Sequence, residues 1–312
     1  MCNNCAFLMM KKILITGSSS FTAFHLINFL INENESFEIY GIDLKPTKSI
    51  KYFKIDLLQF TDVFNIINKI RPDFIFHLVG LGKSESLEEF CKLNLFTVNN
   101  VLESIYKSQL YDTRILLTSS AAVYGFNSKK NIKENVSPSP INFYGTSKLA
   151  MEYLASQYYK NFDLRINIVR PFNIIGIGQP DSFVIPTILN QLIKIKRKEV
   201  DDKLYIGDIN TERDFIDIQD VVKAYWCVIN QDSSGEIYNI GSGKCYQISS
   251  ILDISMKILN VWPKIIVDKN KIVKNQITNI SANISKIKNI GFLPDKSITE
   301  SLNDMINYYI NN

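Results

Sequence analysis

Tyr144 and Lys148 stand four residues apart in Asn142-Phe143-Tyr144-Gly145-Thr146-Ser147-Lys148, which runs on into Leu149-Ala150-Met151-Glu152. On a helix the two side chains share one face, a turn apart. A lysine ammonium beside a phenol favours the phenolate and lowers its pKa from about 10. Such a group moves protons near neutral pH. Upstream, Ile115-Leu116-Leu117 reads as a buried strand that ends in Thr118-Ser119-Ser120. A serine at that strand end can hydrogen-bond a substrate oxygen beside the phenol. The plainer alternative is an ordinary surface Tyr and Lys on an amphipathic helix. The pair alone does not separate the two readings, so the elements around it must.

Lys11-Lys12-Ile13-Leu14-Ile15-Thr16-Gly17 is an apolar run ending in glycine, and a helical pattern starts at Phe21. Strand, tight turn and helix form the usual seat of a dinucleotide pyrophosphate. The spacing G-x-x-G-x-x-G puts glycines at 17, 20 and 23, but Ser20 and Ala23 occupy the last two positions. Ser20 must point aside or offer its own hydroxyl. The next apolar run, 37–43, ends in Asp43, placed to accept from the adenosine ribose hydroxyls. That favours NAD(H) over NADP(H), although Lys45 suits a 2′-phosphate. Asp56, beside Leu57, is either an acceptor for the adenine amine or a turn cap. Residues 60–71 read as helix, stopped by Pro72. Residues 73–80 read as a buried strand carrying His77, a packed core histidine, and Leu78, and ending in Gly80, where backbone can pass close to a cofactor. Residues 87–108 form a long helix with Asn94, and 134–142 form a Pro/Ser loop. The strand 165–173 follows the Tyr144 helix.

This alternation predicts an α/β fold, a Rossmann-type doubly wound parallel sheet. Ligands of such sheets bind at the carboxyl ends of strands. Gly17, Asp43, Gly80, Ser120 and Asn173 all fall there, which turns Tyr144 and Lys148 into an active-site candidate. After Asn173 the alternation loosens into a smaller mixed α/β lobe. It has a loop at 174–181, a helix at 182–198, strands at 203–206 and 213–218, and a helix from Asp220. A strand at 237–241 is placed to extend the first sheet. A helix at 248–259, a strand at 265–267 and helices near 282–289 and 297–310 complete it. The expected organisation is an extension over 1–10 and a dinucleotide-binding domain over 11–173 plus about 213–241. A substrate lobe covers about 174–212 plus 242–312.

The 312 residues carry a net charge of +4 with both signs interspersed. That offers no dedicated nucleic-acid surface; Lys194-Ile195-Lys196-Arg197-Lys198 reads first as a solvated helix face. No apolar run reaches the roughly 18 residues of a spanning helix, and Cys5-Ala6-Phe7-Leu8-Met9-Met10 is too short for a signal core. The five cysteines are odd in number, and Cys91, Cys227 and Cys245 are widely spaced. Free thiols in a reducing, cytoplasmic setting follow. With two histidines, and a Cys2-x-x-Cys5 pair that has no partner cluster, no metal site is expected.

These motifs together resemble the extended short-chain dehydrogenase/reductases, in the NAD-dependent epimerase/dehydratase branch that acts on nucleotide-diphosphate sugars. The resemblance spans residues 11 to about 300. It rests on Ser119-Ser120-Ala121-Ala122-Val123-Tyr124-Gly125 and on Tyr144-Gly145-Thr146-Ser147-Lys148. Two further blocks, Arg170 through Pro186 and Gly207 through Asp220, are similar to the GDP-6-deoxy-D-mannose 4-reductases. Ser20, and Thr97 where the family usually has glycine, depart from the pattern. The resemblance implies that Tyr144 gives a proton to a C4 carbonyl oxygen while hydride comes from NAD(P)H. Lys148 holds the cofactor ribose and depresses the Tyr144 pKa, and Ser120 orients the carbonyl. Asn173, Ser182 and Arg213 would contact the sugar-nucleotide substrate, Asn173 and Arg213 at its diphosphate. Without the resemblance, Arg213 stays open between a phosphate contact and a surface ion pair. Gly17, Ser20, Phe21, Asp43, Asp56, Leu57, Leu78, Gly80 and Asn94 complete the cofactor set, and a homodimer through the helices at 87–108 and 144–160 is implied.

What is missing narrows the chemistry. Family 4,6-dehydratases carry an acid and a base directly after the Ser/Thr, where this chain has Ala121 and Ala122. Fucose-forming epimerase-reductases use a cysteine at the second of these positions and a later histidine. Ala122 replaces that cysteine, and no histidine follows His77. The expected activity is therefore NAD(P)H-dependent reduction of the C4 ketone of a nucleotide-linked 4-keto-6-deoxyhexose. GDP-4-keto-6-deoxy-mannose would give GDP-D-rhamnose or GDP-6-deoxy-talose, for surface polysaccharide synthesis. The alternatives are a 4-epimerase with tightly bound NAD and a non-catalytic NAD or sugar-nucleotide binding protein.

Overall fold

A computed structural model describes residues 10–33, 37–125, 130–268 and 279–311. The expected extension, apart from Met10, lies outside the described residues, as do Cys2 and Cys5. The apolar run after Met10 forms β1 (Lys11–Thr16), and α1 (Phe21–Asn32) follows the glycine turn. Next come β2 (Phe37–Asp43), β3 (Lys51–Lys54), α2 (Phe60–Ile70) and β4 (Phe74–His77). The long helix predicted at 87–108 is present but divided. α3 (Leu87–Cys91) passes through one π turn (Lys92–Phe96) into α4 (Thr97–Lys107). Then β5 (Arg114–Thr118), a 3-10 turn (Ala121–Tyr124), α5 (Phe143–Phe162) and β6 (Arg165–Pro171) complete the sequence-predicted alternation.

Strands β1 to β6 and one later strand, β10 (Ile237–Ile240), form a seven-stranded sheet in the order β10-β6-β5-β4-β1-β2-β3. Every pairing in it is parallel. The chain winds outward from β1 through β2 to β3, then crosses back to β4, so the strand order reverses between β1 and β4. The crevice at such a reversal is where α/β sheets bind ligands. Alternate side chains serve opposite faces, as strand geometry requires. Ile13, Ile15, Phe74 and Phe76 pack in one cluster with α1, while Leu14 and Ile75 pack in another with α2, α4 and α5. The strand read at 237–241 does extend this sheet, through β6.

The strand read at 165–173 is two strands. Pro171 brings no amide hydrogen to the ladder, and the Phe172 amide bonds Ile240 O at 2.8 Å. β7 (Asn173–Ile175) turns into a three-stranded sheet, β11-β9-β7, with β9 (Glu212–Asp217) and β11 (Cys245–Gln247). Between them lie α6 (Val184–Lys196) and β8 (Lys203–Ile206); β8 pairs in parallel with β12 (Lys264–Val267). The basic run at the end of α6 is an exposed face broken only by buried Ile195. α7 (Ile218–Ile229) starts two residues earlier than read, because Asp217 caps it by accepting from Gln219 N at 2.8 Å. α8 (Ile248–Leu259) and α10 (Ile298–Asn311) pack with α6 in a third apolar cluster, and α9 (Ser285–Asn289) is a short turn beside β10.

Candidate active site

The carboxyl end of β5 delivers Ser119 and Ser120, and the first turn of α5 delivers Tyr144. Asn142 caps α5 by accepting from Gly145 N at 2.8 Å, which fixes where Tyr144 leaves the helix. Ser120 caps the 3-10 turn, accepting from Ala122 N at 3.1 Å. Ser120 and Tyr144 line the same cleft, and the serine hydroxyl is close enough to act on the phenol. Ala121 and Ala122 open the 3-10 turn and bring no titratable group to the serine.

Lys148, one turn on, is 5% exposed, and its ammonium donates to Thr118 O at 2.8 Å. Burial pulls its pKa down to about 8, against the raising pull of the Glu152 carboxylate. Tyr144 differs from the sequence expectation. Burial holds its pKa above the usual phenol value, while the contact with Ser120 pulls the other way. The Lys148 charge, engaged at the Thr118 carbonyl, does not depress it. The phenol therefore stands as a proton donor.

Asn94 sits in the π turn, buried beneath the same spot. Its Oδ1 accepts from Leu81 N at 2.8 Å; its Nδ2 donates to Leu81 O at 3.1 Å and to Ser147 Oγ at 2.9 Å. Gly80 is packed against this group: a Cβ there would lie 3.0 Å from both Asn94 Oδ1 and Lys148 Nζ. Thr97, the residue that departs from glycine, is buried, donates to Leu93 O at 2.8 Å across the π turn and faces His77. His77 is the core histidine expected: Thr16 Oγ1 bonds its Nδ1 at 2.9 Å, and burial pushes its pKa down to about 3.

At the amino-terminal turn, Gly17 has φ +69° and a Cβ would come 2.9 Å from Val79 N, so this position requires glycine. Ser20 is not strained. At φ −74°, ψ 160° it is the N-cap of α1 and accepts from Ala23 N at 3.3 Å. Its side chain points aside into the helix end. Asp43 lies at the end of β2, but its carboxylate is already engaged. Oδ2 accepts from Ser19 N and Ser19 Oγ at 3.0 and 2.8 Å, and Oδ1 from the Leu44 and Lys45 amides at 2.7 and 3.2 Å. Asp56 caps a turn, accepting from Leu58 N at 3.0 Å. Leu57 is buried, with its carbonyl held by Asn100.

Ser20, Phe21, Leu78, Gly80, Ser120, Tyr144, Lys148, Asn173, Ser182 and Arg213 line one cleft of about 650 Å³ at the strand carboxyl ends. Gly17, Asp43, Asp56, Leu57 and Asn94 are not in its lining. Asn173 donates to Asp214 O at 2.9 Å, and burial lowers the Arg213 pKa. Among the described residues, Lys148 and Arg213 are the charged side chains of the lining, and no carboxylate is among them. Sequence reasoning missed Gln179, Phe183 and Tyr225 in the same wall. Tyr225 lies on the buried face of α7, where apolar periodicity does not distinguish a cleft residue from a core one. A dinucleotide fits the residues present: a glycine turn at the strand-order reversal, and Gly80 in the cleft lining with the buried Lys148 cation packed against it.

The match to known proteins agrees with this geometry. A profile of the NAD dependent epimerase/dehydratase family matches residues 13–241. The chain belongs to that family, a branch of the extended short-chain dehydrogenase/reductases that depend on NAD(P). It is 30% identical over 249 residues, 79% of this chain and 80% of the relative, to GDP-6-deoxy-D-talose 4-dehydrogenase of Aggregatibacter actinomycetemcomitans. It is 28% identical over 303 residues, 94% of this chain and 95% of the relative, to GDP-6-deoxy-D-mannose reductase of Pseudomonas aeruginosa. The solved structure of RMD from Pseudomonas aeruginosa complexed with NADPH superimposes with a TM-score of 0.85 at 27% identity, covering 97% of this chain and 100% of that one. Among the described residues no helix is long and apolar enough to cross a membrane, and no group of His, Cys, Asp and Glu is arranged to hold a metal ion.

Proposed function

We propose that the chain reduces the C4 ketone of a nucleotide-linked 4-keto-6-deoxyhexose, GDP-linked, with NADH or NADPH. The observation that carries this reading is the grouping of Ser120, Tyr144 and Lys148 in one cleft lining at the strand ends, with the phenol held protonated by burial. A ketone reduction consumes one proton at oxygen, and this site presents one. Bound along the strand ends, the dinucleotide supplies the hydride that reaches C4. Ser120 donates to the carbonyl oxygen and holds it beside Tyr144. Tyr144 transfers its proton to that oxygen and regains one from solvent. Lys148 contacts the ribose as a cation. Arg213, with its rigid fork of donors, and Asn173 meet the substrate diphosphate. A cleft lined, among the described residues, by two cations and no carboxylate suits two anionic ligands. Ala121 and Ala122 cannot move protons, which leaves C4 as the reacting carbon.

The names of the two relatives support GDP and a 6-deoxyhexose. The two names differ at C4, talo in one and manno in the other. The division into a dinucleotide domain and a substrate lobe is part of this reading. It is supported by the separate apolar cluster under α6, α8 and α10, with β9 on the side of the smaller sheet. Four-epimerases use the same Tyr/Lys pair, and they differ in consuming no net NAD(P)H. Tyr144→Phe tests catalysis itself. Turnover is expected to fall by about 10²–10⁴ while NAD(P)H binding persists. Unchanged turnover would remove Tyr144 from the chemistry, and binding without turnover in the wild type would favour a sensor.

A further inference from the structure

Behind Lys148 lies a set of buried side chains that the proton transfer does not use. Glu152, one turn further along α5, is 5% exposed, and Arg170, near the end of β6, is 2% exposed. They form a two-pronged pair, Arg170 Nε to Oε1 at 2.9 Å and Nη2 to Oε2 at 2.6 Å. Ser119 Oγ donates to the same Oε1 at 2.5 Å. Arg170 Nη1 donates to the Tyr124 hydroxyl at 3.0 Å and to Glu134 O at 3.2 Å. Tyr124 in turn donates to Asn239 Oδ1 at 2.6 Å. One ion pair thus joins the end of β5, the catalytic helix, β10, and the strand that leads into the cleft wall at 171–173.

A buried pair of this kind is a weak source of stability, because desolvating both charges offsets their attraction. What it supplies here is fixed geometry and a fixed charge. The groups acting on Lys148 are Glu152 from α5, neutral His77 from β4, Asn94 from the π turn and the Thr118 carbonyl from β5. Glu152 is the carboxylate among them, and it opposes the burial that would discharge the lysine.

We propose that Glu152 and Arg170 are positioning residues of the reaction: they hold Ser119, Lys148 and the 171–173 wall in register, and Glu152 keeps Lys148 cationic toward its ligand. This rests on the dinucleotide-dependent reading above. The test measures NADH and NADPH affinity by fluorescence from pH 6 to 9, with thermal melts alongside. The variants are Glu152→Gln/Arg170→Gln, which removes both charges and strands neither, and Glu152→Asp, which keeps a retracted carboxylate. In the wild type, affinity is expected to fall as pH rises through about 8, where Lys148 loses its proton. In the double variant the fall is expected at lower pH, because the carboxylate that raises the Lys148 pKa is gone, with the lost Arg170 charge offsetting part of the shift; binding near pH 7.5 is then weaker than in the wild type. Glu152→Asp is expected to shift it the same way by less, and to keep the inference testable should the double variant not fold. A folded variant of either kind whose profile superimposes on the wild type overturns the inference alone. A wild-type chain that binds neither dinucleotide overturns the underlying reading, and this inference with it.

Discussion

Ser20 shows how one side chain can look wrong in a motif and be at ease in the structure. Its backbone is extended and its hydroxyl caps α1. Capping engages the Ala23 amide, one of the donors a helix start otherwise offers to phosphate. Ser20→Gly should therefore cost only a few tenths of a kcal/mol in melting experiments, with NAD(P)H affinity equal or tighter in titrations. A marked loss of affinity would mean that the hydroxyl itself contacts the cofactor. Tyr144, Lys148 and Ser120 were legible because helix spacing and a strand end place them without tertiary knowledge. The depressed Tyr144 pKa was misread, since sequence does not show that the lysine turns to the Thr118 carbonyl. Asp43 was found by position, but its four donors come from turns that sequence does not place. Glu152 and Arg170 were not singled out, because their partners sit on different elements.

The π turn does similar work on the scale of an element. It adds one residue to a helical turn and aims Asn94 at Leu81 and Ser147. Apolar periodicity across 87–108 gave one continuous helix, since the pattern carries little trace of a single wide turn. Asn94→Ala removes all three hydrogen bonds of that side chain. A loss of about 1–3 kcal/mol is expected in denaturation, together with weaker NAD(P)H binding as the backbone at 80–81 loosens. Wild-type affinity in this variant would show that the π turn serves stability alone. Most strands were legible from their apolar runs. The exceptions have physical causes: β3 is a short edge strand of half-exposed residues, and the 165–173 run hides the break at Pro171.

Across the whole molecule, the parallel sheet and its reversal between β1 and β4 gather residues from distant stretches of chain into one cleft. The smaller sheets were harder to read, since β7, β9 and β11 are short and come from separate stretches. The outer surface of α3 to α5 keeps Leu87, Phe96, Phe143 and Tyr153 43–63% exposed. We propose that this face joins two copies of the chain, so light scattering should give twice the 35.8 kDa chain mass; a monomer mass would remove the proposal. The central claim is reduction at C4. Its most direct measurement is incubation with GDP-4-keto-6-deoxy-mannose, and with its dTDP-glucose-derived counterpart, each with NADH and NADPH, followed by product NMR. One dinucleotide is expected to be oxidised for each GDP-sugar converted, giving a product with a new hydroxyl at C4 and its C6 methyl intact. Sugar conversion with no net dinucleotide oxidation, or no conversion of either ketone by a folded chain that binds NAD(P)H, would contradict it.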